Sequence, residues 1–572
     1  MQTKTIPKHL QKYTVTQEYE NYTAINHAVW RYVMRQNHHG LKEIAHPAYT
    51  DGLKASGISI EQLPNVDHMN VCLAPYGWGA ATIDGFIPGV AFFEFQANGI
   101  LPVVAEIRKL ENIQYTPAPD IIHEAAGHAP ILCDKNYSEY VKLFGNIGKK
   151  AIATKEEHDL FEAVRHYSNL LEKGESTEAD IISAKNKIDE VALSIKGVSE
   201  AEQISRLYWW TVEYGLIGDL ANPKIYGAGL LSSISEGSNV LSDAVKKIPF
   251  ELETIINTGF DITKPQPQLF VCENFEQLTE GVLEFSKRMA FMTGGTESLE
   301  KAKQSANLAT IEYSSGLQVT GVLHELLYND AKEAIYLKML GPTALAYDHN
   351  EIAGHGTATH NDGFGAPIGN LHGISKAIEN LTDHELTSLG IVPGQDCTLS
   401  FESGVLVKGN VLSILKQDEK IQLISFENCR VSYQDQTLFE PEWGLYDMAV
   451  GATISSVYGG AADGEAYYII DDQSVGNATK SIERSELDSL YQQIRELREG
   501  KSDNPTGVIE AVATKLKDNY PTDWLLRLEI VELLTKNHWL PVLEGELRND
   551  LDQLQKSNDD LRPLIMRGLE IC

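Results

Sequence analysis

The stretch HEAAGH, residues 123–128, places two histidines five positions apart, with Glu124 beside the first and Gly127 just before the second. Imidazole is the commonest metal-ligating side chain, so the pair raises metal binding as a first chemistry. On a straight α-helix, rings five residues apart point about 140° away from each other. The H-E-x-x-H of zinc proteases avoids this with a four-residue step, and HEAAGH is one residue too long for it. His123 and His128 meet one ion only if the helix loosens or ends near Ala126-Gly127. Glycine tolerates that best, and Pro130 discourages continuation. A third ligand is offered by Glu213 in the apolar and aromatic segment RLYWWTVEYGLIGD. A carboxylate there is costly to bury unless it is paired, for example with Arg206, or coordinates a cation. Two imidazoles and one carboxylate form the facial triad that leaves positions open on Fe(II). Competing readings are surface or core histidines, and a zinc hydrolase using Glu124 as its base.

Five stretches occur in an order that resembles the pterin-dependent aromatic amino acid hydroxylases, most closely the bacterial members acting on phenylalanine. They are GFIPGVAFF (85–93), EIRKLENIQYTPAPDIIHEAAGHAP (106–130), LYWWTVEYGL (207–216), KIYGAGLLSSISE (224–236) and QPQLFVCENF (266–275). The resemblance covers roughly residues 20–290. It implies that His123, His128 and Glu213 are catalytic ligands of Fe(II), with O2 as co-substrate and tetrahydrobiopterin or a related tetrahydropterin as cofactor. It implies further that Arg108, oriented by Asp120, holds the carboxylate of an aromatic amino acid, as suits a guanidinium fork. Thr116, Trp209 and Ser232 then enclose the substrate, and Phe86, Glu124 and Tyr208 surround the pterin. The implied activity is hydroxylation of L-phenylalanine to L-tyrosine. Trp209 and Val271 favour phenylalanine, while SSISE also resembles tryptophan hydroxylases, so tryptophan or tyrosine hydroxylation stays open, as does a non-catalytic aromatic amino acid sensor.

These residues need elements to position them. The resemblance implies a mainly α catalytic domain with the aromatic amino acid hydroxylase fold over residues 1–300. A β-rich α+β region of unknown role follows at 316–480. There DCTLSFESGVLVKGNVLSIL alternates apolar and polar residues around Gly409-Asn410, and KIQLISFENCRVSY follows, which predicts a β-meander. A helical tail occupies 482–572. Leu487, Leu490, Ile494 and Leu497 recur at helical steps, with Gly500 where a C-cap belongs. Its leucine faces offer a surface for homo-oligomerisation or for packing on the same chain. The segment YDHNEIAGHGTATHNDGFGAPIGNLHG carries His349, His355, His360 and His372, whose spacings match no ligand template, and it reads as a glycine-rich surface loop.

The 572 residues include 80 acidic and 48 basic side chains, a formal net charge of −32. That charge argues against nucleic acid or an anionic membrane as the main partner. No uninterrupted apolar run reaches membrane-spanning length, and the first 20 residues lack a secretory core. Six cysteines without paired spacing suit a reducing cytoplasm. The expected partner is a small aromatic amino acid.

Overall fold

Capping and apolar periodicity set the first long helix, Ala24–Leu41. The Thr23 hydroxyl accepts from the Asn26 N–H at 3.2 Å, and the Asn26 side chain accepts from the Thr23 N–H at 2.9 Å. This reciprocal box satisfies two otherwise orphaned donors. Val29, Trp30, Val33 and Met34 then turn into the core. The computed structural model describes residues 4–468 and 484–572, apart from 84, 86, 115–119, 174–176, 241 and 263.

Two small sheets brace the helices of the first 300 residues. Strands Gly79–Ile83 and Ile100–Val104 pair in parallel across helix Gly89–Ala97, and the second leads towards Arg108. A four-stranded sheet runs in the order Lys224–Ile225, Leu216–Ile217, Gln268–Cys272 and Lys246–Pro249. Leu216 follows Glu213 closely and registers with Val271, which is buried core. Lys224–Ile225 feeds helix Ala228–Ser232. This sheet fixes the backbone just after the Glu213 segment, which helix Glu200–Tyr208 leads into.

Strands from Leu308 to Gly459 build two further sheets. The first has six strands, including Leu317–Tyr328, Ala334–Tyr347 and Gly363–Pro367; the second has five, including Val405–Gln417, Lys420–Tyr433 and Tyr446–Ala449. They pack face to face, with Leu423 and Ala449 of the second sharing a core with Leu317 and Val319 of the first. Gly409-Asn410 is not a turn. It lies inside strand Val405–Gln417 at a register shift, where a Cβ on Gly409 would stand 3.1 Å from Cys429 Cα. The reversal falls instead at Asp418-Glu419, both with positive φ, as a tight two-residue hairpin requires. The segment expected to be a surface loop also contains strands Asn350–Glu351 and Gly363–Pro367.

Five helices, from Glu486–Arg498 to Arg562–Glu570, close the chain. Gly500, at φ 72°, ends the first of them. Leu490, Ile494, Leu526, Leu534 and Leu551 belong to the same core as Trp30 and Tyr32. Tyr32 meets Trp524 edge-on at 5.1 Å and donates to the Leu564 carbonyl at 2.7 Å. Their leucine faces are therefore buried within the chain. Among the described residues no helix is long and apolar enough to cross a membrane.

Candidate functional site

His123–His128 is a π-helical turn. Its wider winding carries hydrogen bonds to the fifth residue, so a five-residue step returns close to one face. The Ala129 N–H donates to the Glu124 carbonyl across that wider ring. Trp209–Glu213 is a second π-turn, closed by the Tyr214 N–H on the Trp209 carbonyl at 2.9 Å. Gly127 permits the loosening for a packing reason as well as a conformational one. A Cβ there would lie 2.5 Å from the Ala228 carbonyl oxygen.

The two turns bring three donors together. Glu213 Oε2 lies 3.1 Å from His123 Nε2, Glu213 Oε1 lies 3.1 Å from His128 Nε2, and the two imidazole nitrogens are 3.3 Å apart. A single ion about 2.0–2.2 Å from each donor fits these separations. Arg206, the rival partner for Glu213, pairs instead with Glu202 at 2.8 Å. The Ser232 hydroxyl donates to the Ala228 carbonyl at 2.8 Å, which commits its proton. Its oxygen therefore accepts from His123 Nδ1–H at 3.2 Å, which turns Nε2 towards Glu213 as the atom available to a metal.

The electrostatics draw positive charge to this point. Burial works to lower the His123 pKa, yet the Glu213 carboxylate, helped by Glu124 and Asp120, carries it up to about 9. Burial would likewise raise Glu213, but His128 and His123 hold it below the usual carboxylate range. Burial pushes Glu124 up. Among the described residues its Oε2 is a buried acceptor with no hydrogen-bond partner, 3.8 Å from His128 Nε2. An orphaned carboxylate oxygen beside a triad is where a cofactor N–H would be satisfied.

Arg108 and Asp120 form a buried two-pronged pair, Nε to Oδ2 at 2.7 Å and the second guanidinium nitrogen to Oδ1 at 2.8 Å. Burial would raise Asp120, but Arg108 holds it below its ordinary value. Asp120 also accepts from the His123 N–H at 3.2 Å, tying the arginine to the triad. Among the described residues, the remaining NH1 of Arg108 has only a 3.5 Å contact to the Ile113 carbonyl. Trp209, half-buried on the turn that carries Glu213, stacks on Phe260 at 4.4 Å and on Tyr214 at 4.7 Å. Tyr208 is buried among Phe92, Phe93 and Phe144, and its hydroxyl accepts from Gln96 at 2.5 Å. Phe86 and Thr116 lie outside the described residues. Sequence reasoning missed Gln96 and Phe260; neither has a local signal, because each earns its place only through a partner more than 50 residues away.

The biopterin-dependent aromatic amino acid hydroxylase family matches residues 3–184 and 179–294, just over half of the 572 residues. The chain belongs to this family. Phenylalanine-4-hydroxylase of Mesorhizobium japonicum is 29% identical over 309 residues, 52% of this chain and 91% of that protein. That of Chromobacterium violaceum is 29% identical over 268 residues, 46% of this chain and 75% of that protein. A crystal structure of the Chromobacterium violaceum enzyme bound to iron and phenylalanine aligns with 27% identity and a TM-score of 0.37, covering 49% of this chain and 88% of that one. The family match covers the first half, and residues beyond 294 lie outside it.

Proposed function

We propose that the protein is an iron- and tetrahydropterin-dependent phenylalanine 4-monooxygenase, converting L-phenylalanine to L-tyrosine with O2. The observation that carries this reading is the convergence of His123, His128 and Glu213 within 3.3 Å, tied through Asp120 to a buried arginine. The phenylalanine-4-hydroxylases at 29% identity support the substrate. Six free cysteines support a reducing, cytoplasmic setting.

In this reading His123, His128 and Glu213 hold iron on one face and leave the opposite positions open. Ser232 fixes the His123 tautomer that presents Nε2. Glu124 accepts from the polar edge of the pterin, with Tyr208 buttressing the site from behind; the family resemblance assigns ring stacking to Phe86, which lies outside the described residues. Arg108 offers its free edge to the substrate carboxylate while Asp120 holds the fork in place. Trp209 encloses the remainder of the amino acid, a role the family resemblance also assigns to Thr116, outside the described residues. When bound, iron and tetrahydropterin supply the activation of O2 and the two electrons that reduce one of its atoms to water.

Incubation with Fe(II), tetrahydrobiopterin, O2 and each aromatic amino acid in turn, with products identified by mass, tests the reading. Tyrosine from phenylalanine is expected. Product from tryptophan or tyrosine alone would reassign the substrate, and binding without any product would leave a sensor. Arg108→Lys keeps the charge but loses the fork, and is expected to lower kcat/KM about a hundredfold with iron content unchanged.

A further inference from the structure

The β half of the chain holds a second convergence of two histidines and a carboxylate. His355 Nδ1 and His360 Nε2 lie 3.3 Å apart, and Asp447 Oδ2 stands 3.6 Å from the first and 3.8 Å from the second. The histidine-bearing segment is therefore not merely a surface loop. Its sequence gave no template because the third donor comes 87 positions later, on the facing sheet.

Each donor is held by the backbone around it. The Leu345 N–H donates to the His355 carbonyl at 2.9 Å, and the Thr343 N–H to the His360 carbonyl at 3.0 Å, so both histidines are stitched to strand Ala334–Tyr347. Asp447 lies on strand Tyr446–Ala449, opposite Ser425. The Ser425 hydroxyl donates to Asp447 Oδ1 at 2.5 Å, which leaves Oδ2 turned to the imidazoles. Side-chain exposure is 9% for His360, 10% for Asp447 and 21% for His355. The imidazole rings stack nearly parallel at 5.6 Å.

A plain ion pair explains this cluster poorly. One carboxylate answers one imidazolium, and charging both stacked rings would set like charges against each other. Two neutral imidazoles and a carboxylate around a divalent cation satisfy all three groups at once. The separations also differ from those of the first triad. An ion about 2.0–2.2 Å from its ligands sets tetrahedral donors about 3.3–3.6 Å apart, and octahedral neighbours about 2.8–3.1 Å apart. The first triad, at 3.1–3.3 Å, spans the gap between the two; this one, at 3.3–3.8 Å, lies at and slightly beyond the tetrahedral spacing. Its fourth side faces a cavity of about 440 Å³ lined by His360, Asp447, Lys338, Asp362, Phe439 and Trp443. Three protein ligands with one open position are the pattern of catalytic rather than structural zinc sites.

We infer that His355, His360 and Asp447 bind a second divalent metal ion of the zinc class, with an open coordination position facing the cavity between the two C-terminal sheets. The site is independent of the iron-binding triad and of the hydroxylase reading.

The test is metal stoichiometry and cobalt spectroscopy on the full chain. Protein loaded with zinc and freed of excess by gel filtration is expected to retain one equivalent that survives His123→Ala/Glu213→Ala and is lost in His355→Ala/His360→Ala. Cobalt(II) added to the His123→Ala/Glu213→Ala protein is expected to give the intense visible absorption of tetrahedral coordination, abolished by Asp447→Asn. Ser425→Ala, which removes only the hydrogen bond that aims Asp447, guards against misfolding as the cause and is expected to weaken binding about 10- to 100-fold. The His355→Ala/His360→Ala protein is expected to keep the hydroxylase turnover of the parent. Zinc retention unchanged by His355→Ala/His360→Ala and by Asp447→Asn, or no cobalt spectrum in the His123→Ala/Glu213→Ala protein, would overturn the inference.

Discussion

Ser232 shows how much of the candidate iron site depends on a side chain that need not touch the ion. Its proton is committed to the Ala228 carbonyl, and its oxygen accepts from His123. Alanine there frees the imidazole to rotate and to switch tautomer. Ser232→Ala is expected to weaken iron binding or lower activity about 10- to 100-fold, read by iron content after desalting and by initial rate. The family resemblance gave Ser232 a place beside the substrate; the contact to His123 adds a role in orienting a ligand. His123, His128 and Glu213 were legible in the sequence as candidates because a carboxylate in an aromatic segment is costly to bury unpaired and because the stretches around all three resemble one family; the histidine pair alone is a weak signal. Asp447 was not legible, since one aspartate in a β-strand carries no such tension.

At the scale of elements, the two π-turns are the feature on which the triad depends. Gly127 lies where one of them crosses helix Ala228–Ser232, with room for no Cβ against Ala228. Gly127→Ala must push that helix away and take Ser232 with it. It is expected to destabilise the fold by about 1–3 kcal/mol, measured by thermal or urea unfolding, and to lower iron retention. Helix Ala24–Leu41 carries a pH dependence of its own. His27 is buried, accepts from the Leu63 N–H at 3.2 Å on Nδ1, and is pushed down to about 3 by burial, with Arg495 adding to the effect. A ring held neutral in the folded chain but titrating near 6.5 when unfolded contributes its full stability above pH 6.5. That contribution is lost as the pH falls from 6.5 towards 3, by about 1.4 kcal/mol per unit. His27→Gln is expected to flatten this part of the acid limb, seen as a smaller difference in urea midpoint between pH 7 and pH 5 than in the parent.

At the scale of the whole molecule, the last helices are part of the catalytic half's core. Arg31, buried on helix Ala24–Leu41, makes two 2.6 Å bonds to Glu532, a third of 2.6 Å to Glu61, and lies 3.6 Å from Glu529. Arg35 also pairs with Glu532. Removing one partner of a buried pair leaves charge uncompensated and typically costs about 3–5 kcal/mol. Glu532→Gln is expected to approach the lower end of that range, because Glu61 and Glu529 still face Arg31. A single unfolding transition that shifts for both the hydroxylase signal and the tail would mark the two ends as one cooperative unit. An unchanged melting temperature of the catalytic half would separate them.

The sequence alone determined what local chemistry and periodicity can carry: the candidate ligand types at 123, 128 and 213, the helical tail, the strand-rich middle and the need for a break near Gly127. Each of these is written in its own local stretch, where spacing and polarity act directly. Tertiary structure decided the rest. Winding both ligand segments into π-turns, burying the tail's leucines against Trp30 and Tyr32, and carrying Asp447 across to His355 and His360 all depend on contacts between residues tens to hundreds of positions apart. Such contacts arise from how sheets and helices pack: periodicity marks which face of an element is buried but not which distant element covers it.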